Sequence, residues 1–124
     1  MNDLIGLEYE WGARFSDGAG KTDCFQLVCE IRKRLGLSDY ADKFAWAYES
    51  YTSETLKPVR LAKWLLQTGE RLASPKHGAV ALLADPTSPA LGTIVEGSIV
   101  FISPGERVIR VRTNRVSAYY FWID

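Results

Sequence analysis

The sequence predicts an α+β domain, with helices in its first half and an antiparallel meander in its second. Between Cys24 and Leu35, apolar residues recur at helical spacing. From residue 78 onward, runs rich in β-branched and aromatic side chains alternate with short turns. There are no repeats, low-complexity runs or Pro/Ser-rich linkers, so one domain spanning 1–124 is expected, and 47% hydrophobic content suffices for one core.

Taken in order, residues 3–12 read as a short helix or turn ending at Gly12, and "SDGAGK" reads as a loop by its glycines and its Asp-Gly pair. Thr22 or Asp23 then caps a helix that runs to about Leu35, where Gly36 stops it. On that helix Cys24, Leu27, Val28, Ile31 and Leu35 share one narrow stripe, while Arg32, Lys33 and Arg34 point elsewhere. Further helices are expected over 42–51 and from Pro58, a favoured first helical position, to Gly69. Strands are expected over 78–85, 91–97, 98–103, 107–112 and 118–123. The turns Glu96-Gly97-Ser98 and Pro104-Gly105-Glu106 make the middle three antiparallel hairpins. Within 107–112, alternation sets Ile109 and Val111 on one face and Arg110 and Arg112 on the other.

Composition excludes several functions. Fifteen basic and fifteen acidic residues cancel, leaving no global field to draw the chain to nucleic acid. Arg107, Arg110, Arg112 and Arg115 cluster locally and read as a solvated strand face rather than a phosphate-binding patch. No stretch approaches the roughly 20 apolar residues of a membrane span, so no membrane partner is expected. The opening "MNDLIGLEYEW" lacks a basic region, a long apolar segment and a cleavage site. It predicts a chain made and kept in the cytosol unless something else carries it out. Cys24 and Cys29 would point about 140° apart on their helix and cannot pair with each other. With His77 the only histidine, no zinc-ligand set stands at useful spacing, and neither metal nor cofactor is expected.

Cys24 has two readings. In the first turn of a helix, exposed N–H groups and the positive end of the dipole lower a thiol's pKa, with the neighbouring Asp23 charge opposing. Facing a sheet, such a cysteine looks across a cleft to a strand that can carry a base, as in cysteine peptidases. Alternatively, it fills space, since free cysteine is among the most buried residue types. Position alone leaves the two even, and the Gly-rich approach loop tilts the balance towards a site, at least an ancestral one.

The stretch "LIGLEYEWGARFSDGAGKTDCFQLV" resembles the N-terminal motif of the NlpC/P60 cysteine peptidases, with Tyr9, Trp11, Gly12, Gly20, Asp23, Cys24, Leu27 and Val28 in matching places. Gln26 replaces the family's small residue. The closing strands, through "RVSAYYFW", are most similar to family members from phage tails. The resemblance implies a papain-like fold, with N-terminal helices packed on a C-terminal antiparallel sheet. It also implies Cys24 in the nucleophile position and Tyr9 lining the site.

The family's base is a histidine opening a strand, oriented by a second polar residue further on. Two threadings compete. In one, His77 is the base, because "HGAV" opens a strand and its separation from Cys24 (77 − 24 = 53 residues) is of the usual order. In the other, "GAVALL" is the preceding strand, Ala90 holds the base slot, and Ile102 or Ser103 holds the orienter slot. The second is preferred because it uses every remaining strand, whereas the first must make a strand of "GERLASPK", which has no strand character, and puts its orienter near Pro89, where nothing suitable lies.

The resemblance therefore implies a phage virion or tail-assembly protein with a degenerate site, made in the host cytoplasm and then carried in the tail. Its expected partners are other tail or neck proteins, with peptidoglycan as a further candidate. The alternative is an active cysteine endopeptidase, delivered by a virion, that cleaves peptidoglycan stem peptides with Cys24 as nucleophile and His77 as base. A thiol without that base lacks the general acid needed to protonate a leaving amine, a contribution of roughly 10²–10⁴-fold. The aromatics Tyr119, Tyr120, Phe121 and Trp122 suit a sheet edge or an interface, or the core for at least half of them.

Overall fold

Helices precede sheet as expected, with strands added in two places that the apolar pattern does not mark. The computed structural model describes residues 1–83 and 90–123. A small parallel pair, β1 (Glu8–Tyr9) and β2 (Lys21–Thr22), clasps the N-terminal loop. Of the short helix or turn expected over 3–12, the turn is present at 2–6 and again at Trp11-Gly12, with β1 between the two. Gly12 and Gly20 sit at φ 81° and 72°, so the chain can turn away from each strand without Cβ strain.

Helix α1 (Cys24–Arg34) follows, then α2 (Ala41–Ser50) and α3 (Pro58–Thr68). Strands β3 (Gly69–Leu72), β4 (Val80–Leu83), β5 (Leu91–Val95), β6 (Ser98–Phe101), β7 (Ile109–Arg112) and β8 (Ala118–Ile123) form one sheet in the order β3-β8-β4-β5-β6-β7. Every neighbouring pair in it is antiparallel. The end of the expected strand 78–85 lies outside the described residues.

Strand β3 corrects the reading of "GERLASPK" as without strand character. Its four residues pair with β8, Gly69 opposite Ile123 through Leu72 opposite Tyr120. An edge strand with an exposed outer side has no need of apolar alternation, so pairing with an aromatic neighbour outweighs weak local propensity.

Strand alternation builds two cores. On the helix side, Leu27, Val28 and Ile31 of α1 and Leu61 and Leu65 of α3 pack against Val80, Leu82, Leu91, Val95, Val100, Phe121 and Ile123. On the far side, small Ala79, Ala81 and Ala90 lie with Ile94 and Ile99 under a rim that includes Leu72, Phe101, Tyr120 and Trp122. Gly92 belongs to this far face: a Cβ there would stand 2.6 Å from Ile99 Cγ2 and 2.9 Å from Phe101 Cβ. The β5–β6 hairpin turns through Glu96 and Gly97, both at positive φ (47° and 80°), the two-residue turn whose twist suits paired strands.

Arg32 does not point away from the core as its charge suggests. It is 1% exposed, stacked 3.7 Å from the Tyr40 ring centroid, and it donates to Ser38 O at 3.0 Å and to Gly78 O. It lies four residues after Val28, and the apolar path continues there because the guanidinium is paid in hydrogen bonds to carbonyls rather than in water. Tyr40 in turn donates to Ile123 O at 2.6 Å, so the α1–α2 link is tied to the end of β8.

Candidate functional site

The site is built from the N-terminus of α1. Asp23 caps it, its Oδ1 accepting from the Gln26 N–H at 2.8 Å. Its Oδ2 accepts from the Gly12 N–H at 2.6 Å and from the Tyr48 hydroxyl at 2.6 Å. One buried carboxylate thus joins the Trp11-Gly12 turn, α1 and α2. Trp11 packs on the Tyr48 ring (centroids 5.0 Å) and edge-on to Phe25 (6.0 Å). Burial holds the Asp23 pKa above the ordinary carboxylate value, and hydrogen bonds from Gln26, Tyr48, Gly12 and the Phe25 backbone offset only part of the rise.

Cys24 follows directly and is 1% exposed. The expected lowering of its pKa by the helix terminus does not occur. Burial pushes the thiol up to about 12, with the Asp23 charge adding to the rise, while the N–H groups of Leu91, Phe25 and Cys24 itself oppose it. Cys24 is therefore protonated at neutral pH. Tyr9 stands in the same neighbourhood: its pKa is raised, first by burial and then by the nearness of Cys24 and Asp23, and a hydrogen bond with Ser53 offsets part of the rise. The structure thus brings Tyr9, Asp23 and Cys24 together.

It does not bring His77 to them. Cys24 meets the start of β5 at Leu91. His77 is exposed at the other end of that strand, its Nδ1 accepting from the Glu96 N–H at 3.2 Å. Leu91 and Glu96 are five residues apart along extended chain, roughly 16 Å. The imidazole and the thiol therefore occupy opposite ends of one strand.

The placement of Ala90 opposite Cys24 also needs correction. Ala90 is buried in the far-side core with Ala79, Ala81 and Ile94. The β5 side chains turned to the helices are Leu91, Thr93 and Val95, because a shift of one residue exchanges the faces of a strand. Ile102 is buried in the helix-side core, and Ser103 is half-buried where the chain leaves β6. Position 89, near which the His77 threading would put its orienter, lies outside the described residues.

Two residues of this neighbourhood escape sequence reasoning. Tyr48 reaches Asp23 from α2, 25 residues on, with no motif to announce it. Thr93 is fully buried, and among the described residues its Oγ1 has no hydrogen-bond partner. A hydroxyl of that kind cannot replace an imidazole as a base near neutral pH. Cys29, also free, is half-buried and pushed up to about 12 by burial and the Asp39 charge. Among the described residues no group of three or more His, Cys, Asp or Glu side chains is arranged to hold a metal ion.

Comparison with protein-family models, with curated proteins and with solved structures returns no match.

Proposed function

We propose that the chain is a non-catalytic, NlpC/P60-like protein that serves as a structural component of a phage tail, its peptidase site reduced to packing. The observation that carries the non-catalytic part is the separation of the only histidine from the sealed thiol. Cys24 is buried and protonated against Leu91, and His77 is exposed beside Glu96. Such a pair can neither generate a thiolate–imidazolium nucleophile nor return a proton to a leaving amine.

The residues that resemble the family motif are used structurally. Asp23 spends both carboxylate oxygens on Gly12, Gln26 and Tyr48, and Tyr9 and Trp11 pack against the helix-side core. The tail assignment rests on the resemblance of the closing strands to phage-tail members of that family. The competing reading, an active endopeptidase, requires a rearrangement that carries His77 the length of β5.

The test has two arms. The purified chain is incubated with peptidoglycan stem peptides, and no hydrolysis is expected from it or from His77→Ala. Virions from a phage encoding the chain are purified by density gradient and analysed by mass spectrometry. The chain is expected in the particles, and Cys24→Ala is expected to leave infectivity intact. Cleavage lost in both Cys24→Ala and His77→Ala would sink the non-catalytic reading, and absence of the chain from the particles would sink the tail reading.

A further inference from the structure

Strand β7 ends the sheet, and only part of its outer edge is used. The Thr113 N–H, just past the strand, donates to Gly97 O, so odd-numbered residues here turn their backbone groups towards β6. Val108 faces the other way: its N–H donates to Leu7 O and its carbonyl accepts from the Gly6 N–H, both at 2.9 Å. By the same alternation, the N–H and C=O of Arg110 and Arg112 point outward. Among the described residues no strand pairs with them there.

The side chains along this strand and its flanks carry one sign of charge. Arg107, Arg110, Arg112 and Arg115 are all exposed, and Glu106 is the only acid between residues 104 and 115. Arg107 is already matched: its Nη2 meets Glu8 Oε1 at 2.8 Å, and its Nη1 donates to Gly6 O at 3.1 Å. Among the described residues no carboxylate pairs with Arg110, Arg112 or Arg115. Arg110 Nη2 reaches Val95 O on β5 at 3.3 Å, which lays the side chain inward across β6 by a single long bond and leaves it donors to spare. The chain's own residues 6–8 thus display what this edge accepts: backbone ladder bonds together with a carboxylate on an arginine.

We propose that the free half of the β7 edge is a docking site for an extended acidic segment of a partner protein. The segment adds as a further strand beyond β7 and sets carboxylates, two residues apart on one face, against Arg110 and Arg112. A row of arginines guards an edge against copies of itself, because like charges directly opposite repel. The same row selects a strand of opposite charge. The inference rests on the geometry of the sheet and stands or falls separately from the function proposed above.

The test titrates the full chain with a fluorescein-labelled peptide, Thr-Glu-Val-Glu-Val-Thr, and follows amide exchange by NMR. A lysine-for-glutamate peptide, a backbone N-methylated glutamate peptide and a single-stranded oligonucleotide run beside it. The glutamate peptide is expected to bind and to slow exchange at the Arg110 and Arg112 amides, while the lysine and N-methylated peptides fail. The double variant Arg110→Glu, Arg112→Glu should weaken binding about tenfold or more. Both side chains are exposed, so its thermal melt should match the unmutated chain's and show that folding is not at issue. Failure of the glutamate peptide to bind, or binding without protection of those amides, overturns the proposal. So does equal binding by the N-methylated peptide or by the oligonucleotide, since charge alone would then account for it.

Discussion

The two ends of strand β5 hold the two side chains that a thiol peptidase needs in one place. At Leu91 the strand begins against the buried N-terminus of α1, where Cys24 is sealed. At Glu96 it ends in a hairpin open to water, where His77 spends a ring nitrogen on a backbone N–H. The contrast shows which force governs the thiol. A helix terminus favours a nearby anion by about 0.3–1 kcal/mol, and about 2 at most. A rise from the ordinary value of 9 to about 12 corresponds to about 4 kcal/mol against the thiolate. Burial, with the Asp23 charge behind it, outweighs the dipole, which would activate an exposed cysteine but not this one.

If the Leu91 end is a structural knot, its carboxylate should matter most. Asp23→Ala leaves the Gly12 and Gln26 N–H groups and the Tyr48 hydroxyl without their acceptor and removes a helix cap. A loss of about 3 kcal/mol is expected, read as a denaturant midpoint shift at constant slope. A loss below about 1 kcal/mol would mean that the network is not what holds this end together.

The face assignment of β5 is tested next. Gly92→Ala puts a methyl against Ile99 and Phe101 on the far side and should cost about 2 kcal/mol. Thr93→Val should act in the opposite sense on the helix side, stabilising by about 1 kcal/mol because it removes a buried hydroxyl that lacks a partner. Opposite signs at adjacent positions are the signature of alternation; two losses of equal size would contradict it.

Cys24→Ala should cost about 1 kcal/mol near neutral pH, the loss of a small packed side chain. Its pH dependence is more telling. The folded pKa is raised, so the thiol's contribution is fully present below pH 9 and is lost as pH climbs through about 12. Between those values the unmutated chain should lose stability relative to Cys24→Ala by at most about 1.4 kcal/mol per pH unit. Parallel curves would show that the thiol is not buried. At the other end of the strand, His77→Ala removes one exposed contact and should change stability by less than about 0.5 kcal/mol.

The parts of this arrangement that local chemistry determines are legible in the sequence. Thr22 or Asp23 before an apolar stripe reads as a cap, and Asp23 is the one used; Glu96-Gly97-Ser98 reads as a hairpin turn, and the alternation of 107–112 sorts Ile109 from Arg110. What depends on distant partners is not legible. Strand β3 exists because β8 pairs with it, and Arg32 is buried because Ser38 O, Gly78 O and the Tyr40 ring receive it. Ala90 faces the far-side core although the resemblance assigns it the base slot, because the strand's start can be read from sequence but its face cannot, and one residue of register moves a side chain through the sheet. Burial of Cys24 was half visible: the stripe marks it as facing inward, but only packing shows that no solvent reaches it.

The central claim, that Cys24 is a sealed and unpaired thiol, is tested most directly by alkylation with iodoacetamide, with Cys24 and Cys29 resolved by peptide mass spectrometry. The account predicts very slow modification of Cys24 in the folded chain from pH 6 to 9, unchanged in His77→Ala, with full modification only on unfolding. Rapid modification of Cys24 at pH 6 that slows sharply in His77→Ala would contradict it, because only a thiolate–imidazolium pair reacts in that way.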